Sequence, residues 1–107
     1  MNAEDMNITI LTPEKEIFHG TITSIKVPGT LGQFQVLKNH APIVSSLENG
    51  KVEIVTAKGE YRFFDEESGN IKTADEPGKK IAFSIGGGFI EVIKNDISLL
   101  VRGVQRI

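Results

Sequence analysis

The sequence has no cysteine and no tryptophan, and among its 107 residues only one tyrosine, two histidines and four prolines. Without cysteine there is no disulfide framework, no thiol nucleophile and no cysteine metal site. Two histidines and scattered acids give no spacing typical of a zinc site, so neither a metal nor a cofactor is expected. No serine or carboxylate stands in a nucleophile motif such as a G-x-S-x-G elbow, which leaves catalysis with little to work with. No run approaches the ~18 apolar residues of a membrane span. The start, Met1-Asn2-Ala3-Glu4-Asp5, lacks the basic and apolar stretches of a secretion signal, so membrane insertion is not expected. Positive charge is not in excess either: 12 Lys and Arg against 14 Asp and Glu give a net charge of -2, and no nucleic-acid partner is expected.

What is present fits one folded domain over residues 1–107, with 39% hydrophobic and 24% charged residues. Apolar and polar residues alternate in short bursts, which puts successive side chains on opposite faces of a strand. Gln33-Phe34-Gln35-Val36 is the clearest case; Ile8/Ile10, Thr23/Ile25/Val27, Val52/Ile54, Ile81/Phe83/Ile85, Ile90/Val92 and Ile97/Leu99/Val101 follow the same period. Nothing holds a helical period for three turns. Pro28-Gly29, Asn49-Gly50, Lys58-Gly59, Ser68-Gly69-Asn70, Pro77-Gly78, Gly86-Gly87-Gly88 and Asn95-Asp96 are read as the turns between strands. One sheet could not bury so many apolar faces, so the expected fold is all-β, a two-sheet sandwich of about ten short, mostly antiparallel strands. Residues 65–80, with eight charges, contribute little core and are expected to form an extra exposed hairpin or loop, with Phe63-Phe64 pairing near Ile71.

Three features invite a chemical reading. The glycines at 86–88 could cradle a phosphate, but no Lys-Ser or Lys-Thr follows and Phe89-Ile90-Glu91-Val92 looks like a strand, so a tight turn or bulge is expected. His19 is expected in an exposed turn at a strand entrance. The segment Gly29-Thr30-Leu31-Gly32-Gln33-Phe34 through Asn39-His40-Ala41-Pro42 is the most unusual, because two glycines free the backbone and Pro42 keeps Ala41 out of the helical region. His40 on that corner either satisfies a buried backbone group or belongs to a contact edge. Ile90 to Ile93 and Leu99 to Val101 carry apolar residues on both faces, which makes those strands either central in the core or half of an apolar interface.

The order G-x-x-G-x-F (Gly29, Gly32, Phe34), His40-Ala41-Pro42, Leu47-Glu48-Asn49-Gly50 and Gly87-Gly88-Phe89-Ile90-Glu91-Val92 resembles the epsilon subunit of F-type ATP synthase. Ile10-Leu11-Thr12-Pro13-Glu14 and the Phe18-x-Gly20 pair are similar to that family's first strands. The resemblance implies the family's N-terminal β-sandwich, a non-catalytic rotor part at the foot of the central stalk. It would bind the gamma subunit and the membrane c-subunit ring and couple proton or sodium flow to ATP synthesis. It would be peripheral on the cytoplasmic face of the inner membrane, without a functional homo-oligomer. By the same resemblance Gly29, Leu31, Gly32, Gln33, Phe34, His40, Ala41 and Pro42 would lie toward the ring, with Gln33 where the family often carries an acid. The family's two C-terminal helices have no counterpart before Ile107, so neither inhibition by an inserted arm nor ATP sensing is expected. The competing readings are a small-ligand or carbohydrate-binding sandwich, poorly equipped for stacking without tryptophan, and, last, a hydrolase using His40.

Overall fold

Alternation decides the architecture: wherever isoleucine, valine or phenylalanine recurs at every second position, the chain is extended and buries that face. The computed structural model describes residues 5–107, which form nine strands and no helix. Residues 1–4, where the absence of a secretion signal was noted, lie outside the described residues. In chain order the strands are β1 (Met6–Leu11), β2 (Glu16–Gly29), β3 (Gly32–Val36), β4 (Ile43–Thr56), β5 (Tyr61–Asp65), β6 (Asn70–Ala74), β7 (Lys80–Ile93), β8 (Asp96–Val101) and β9 (Gln105–Arg106).

The expected all-β, mostly antiparallel sandwich is present, with β1 and β8 as the parallel pair. Its strands are fewer and longer than the turn signals suggested, because β2, β4 and β7 run for 14 residues each. Each is shared between two layers. In the first, β6, β5, the first half of β2, β1, β8, the second half of β7 and the first half of β4 lie side by side. In the second, β3, the rest of β2, the rest of β4, the first half of β7 and β9 do so. Since β1 pairs with both β2 and β8, the hydrogen bonding runs around a closed circuit that leaves neither strand as an edge.

Two of the turns expected from sequence therefore fall inside strands. Asn49 pairs with Gly86 and Leu47 with Gly88, in the middle of β4 and β7. The glycines mark where β7 passes from one layer to the other rather than where the chain reverses. Gly87 and Gly88 have φ of 100° and 151°, and the Arg102 side chain lies against the bend, its Nε donating to the Gly86 carbonyl at 3.1 Å. The core between the layers holds Ile8, Ile10, Phe18, Ile22, Ile25, Val27, Val52, Ile54, Ile81, Phe83, Ile90, Val92 and Leu99.

The expected extra hairpin is present, built from β5 and β6 over residues 61–74, with Phe64 opposite Ile71, and residues 75–79 are the loop that follows it. It is clamped to the sandwich by side chains. Arg62 donates two hydrogen bonds to the Glu16 carboxylate, at 2.6 and 3.0 Å, and this lowers the Glu16 pKa. Lys15 Nζ sits 3.8 Å from the centroid of the Phe64 ring, and the Arg106 N–H donates to Glu66 at 2.9 Å. Lys72, 2.9 Å away, and Ser68 hold the Asp65 carboxyl down at about 2. That pair stabilises the hairpin above the ordinary carboxylate range, and its contribution is lost as pH falls toward 2.

The loop after β6 is pinned to one buried residue. The Thr56 N–H donates to the Lys79 carbonyl (2.9 Å), the Gly78 N–H to the Thr56 carbonyl (2.8 Å) and the Lys79 N–H to Thr56 Oγ1 (2.9 Å). The Thr56 hydroxyl in turn donates to the Glu76 carbonyl. Thr56→Val keeps the shape but strips the partners from Glu76 and Lys79. An unfolding free energy lower by about 2 kcal/mol is expected, read as a melting temperature roughly 10 °C lower, with Thr56→Ser close to the parent.

Candidate docking surfaces

Where the inner face of a strand is apolar, the period of two sends the intervening residues outward. On the first layer these outward residues make three rows across the strands. One runs Phe89, Leu100, Leu11; the next Val44, Glu91, Ser98, Thr9, His19; the third Ile93, Asp96, Asn7, Thr21. The first row is apolar and open to solvent, with Phe89 56% and Leu100 52% exposed, and Val44 beside them is 73% exposed. The strands that carried apolar residues on both faces thus cover the core with one side and present an unburied strip with the other.

Beside that strip lies an open polar depression lined by Asn7, Thr9, His19, Asp96 and Ser98. His19 Nδ1 and Thr9 Oγ1 are hydrogen-bonded at 2.9 Å, and Asn7 Nδ2 donates to Asp96 at 3.3 Å. His19 is a half-buried member of β2 rather than an exposed turn residue: its partner across the sheet is Thr9, and the strand begins at Glu16, three residues before it. The outward side of the second layer is different. There Glu53 lies between Lys51 and Lys80, at 3.4 and 3.8 Å.

The hairpin joining β2 to β3 closes with Gly29 opposite Gly32. Gly29 is buried, and a Cβ on it would come within 2.8 Å of the Phe34 ring. Leu31 at the tip is fully exposed, Gln33 is exposed, and Phe34 packs partly against the core. His40, Ala41 and Pro42 are exposed. His40 satisfies no buried group: its Nδ1–H donates to the neighbouring Ala41 carbonyl at 2.8 Å and its N–H to the Leu37 carbonyl at 3.1 Å. The tip is tied to β4 by Thr30 N–H to the Ser46 carbonyl (3.3 Å), and the corner to the β7–β8 turn by Asn39 N–H to Asn95 Oδ1 (2.7 Å). Tip and corner flank the first half of β4 and lie on the order of 10 Å apart along it.

Among the described residues no cluster of His, Asp and Glu could hold a metal ion. The sole tyrosine is buried against Phe18, with ring centroids 5.2 Å apart, and offers no platform for a sugar. Burial also pushes its hydroxyl pKa up.

The fold is a sandwich of bent strands that leaves an apolar strip exposed on one outer face. The chain belongs to the family described as the ATP synthase delta/epsilon chain β-sandwich domain, whose pattern matches residues 5–66. It is 37% identical over 100 residues to the ATP synthase epsilon chain of Leptospira borgpetersenii, covering 94% of this chain and 63% of that one. It is 36% identical over 98 residues to the ATP synthase epsilon chain of Chlorobium limicola, covering 92% of this chain and 90% of that one. The chain thus spans about three fifths of the Leptospira relative's length. The same fold occurs in a chain of the Euglena gracilis mitochondrial ATP synthase, seen with OSCP, F1 and c-ring, at a TM-score of 0.72 and 19% identity; the match covers 99% of this chain and 55% of that one.

Proposed function

We propose that this chain is a non-catalytic central-stalk subunit of a rotary F-type ATP synthase. It docks on the gamma subunit through the outer face of the first layer. Gly29, Leu31, Gly32, Gln33 and Phe34 at the hairpin tip, with His40, Ala41 and Pro42 at the corner, lie toward the c-subunit ring. In this role it links ion translocation to ATP synthesis from the cytoplasmic face of the inner membrane. Among the described residues there is no helix long and apolar enough to cross a membrane. The observation that carries the reading is the strip of Phe89, Leu100, Leu11 and Val44. The sandwich already has a full core between its layers, so an additional exposed apolar strip on a sheet face fits a surface made to be covered. A close-packed core lets the domain hold its shape while gripped, and that task requires no active site.

The test is retention of partners. Tagged chain incubated with detergent-solubilised membranes of the same organism should retain the gamma subunit and the ring, and Phe89→Asp should lose gamma while melting like the parent. Retention of neither by the parent chain contradicts the proposal.

A further inference from the structure

The chemistry of the surface that covers the strip can be read from the charges beside it. Glu91 stands between Val44 and Ser98 in the row next to Phe89 and Leu100, and Asp96 stands opposite Ile93 in the row beyond. Neither carboxylate has an ion-pair partner among the described residues, and Asp96 accepts only a hydrogen bond from Asn7 Nδ2, at 3.3 Å. Arg62 is already taken by Glu16, and Lys94, on the turn joining β7 to β8, pairs with neither acid. Across an antiparallel pair, Glu91 and Asp96 are diagonal neighbours, roughly 7–8 Å apart, so their like charges repel and one cation between them relieves both. Any partner that covers the apolar strip also removes water from Glu91, and burying a carboxylate without a counter-charge costs more than the apolar contact returns.

We infer that the partner surface docking on the first layer presents Lys or Arg side chains to Glu91 and Asp96 alongside an apolar strip that meets Val44, Phe89 and Leu100. This rests on the docking reading above. It disfavours a second copy of the chain as the occupant, since two such faces brought together set carboxylates against carboxylates.

Binding of the purified chain to the gamma subunit of the same synthase, measured at several salt concentrations, tests it. Each of Glu91→Gln and Asp96→Asn should weaken binding about tenfold, and the double variant should lose most of the salt dependence, with melting temperatures unchanged. Glu67→Gln, an exposed acid in the turn joining β5 to β6, should bind like the parent. If Phe89→Asp abolishes binding while Glu91→Gln and Asp96→Asn bind like the parent at every salt concentration, the cationic partner surface is wrong and the docking face stands. If the parent chain does not bind gamma at all, both fail. A dimer of this chain disrupted by Phe89→Asp also overturns the inference.

Discussion

Gly88→Ala is expected to prevent folding or to lower the melting temperature by about 15 °C or more, while Gly86→Ala, two residues away, should change it by only a few degrees. The difference comes from what a methyl group meets. At Gly88 an added Cβ would lie 2.2 Å from the Leu100 carbonyl oxygen and 2.8 Å from the Val101 Cα, both backbone atoms of the paired strand β8, and φ is 151°. Neither neighbour can move without breaking the pairing, so a loss of about 3 kcal/mol or more is expected. At Gly86 the nearest atom is the Arg102 carbonyl oxygen at 3.4 Å, and φ is not positive. Gly87 should fall between them, with φ of 100° and the Leu47 carbonyl oxygen at 3.3 Å. Thermal unfolding of the three alanine variants reads the order directly, and a Gly88→Ala protein as stable as the parent would refute the bend as described.

Phe18→Ala should cost about 3–5 kcal/mol, the largest loss expected for a side-chain truncation in this domain. Phe18 is fully buried, pairs with Ile10 on one side and Phe63 on the other, and stacks on Tyr61. It therefore joins β1, β2 and the outlying hairpin at one point, and β5 meets β2 in register only at Phe18 and His19. Truncation should loosen the hairpin before the sandwich, seen as faster amide exchange in residues 61–74 than in β7 or β8. Phe89→Ala is the contrasting variant. That ring is more than half exposed, so its loss should leave the melting temperature within a few degrees of the parent while weakening partner binding.

Much of this was legible in the sequence, for reasons particular to each segment. Gln33-Phe34-Gln35-Val36 alternates because one side of β3 is covered and the other is not, and the pairing of Phe64 with Ile71 followed from the turn at Ser68-Gly69. Asn49-Gly50 and the glycines at 86–88 misled because glycine marks a reversal and a bend with the same residue. Only the cross-strand register, set by partners distant in sequence, separates the two. His19 was misassigned for a related reason: it is half-buried because β1 folds back beside it. The apolar residues on both faces of β7 and β8 did signal an exposed apolar strip, but which rows they join depends on β1 lying parallel to β8, and no local pattern encodes that arrangement.

The three shared strands have a mechanical consequence. In a sandwich of separate sheets, shear between the layers is resisted only by interdigitated side chains, which can slip past one another. Here Phe89 in one layer and Phe83 in the other belong to the same strand, six peptide bonds apart. A sideways pull on one outer face therefore travels to the opposite face along covalent backbone at three places, and the layers cannot slide without rupturing the bends that join them.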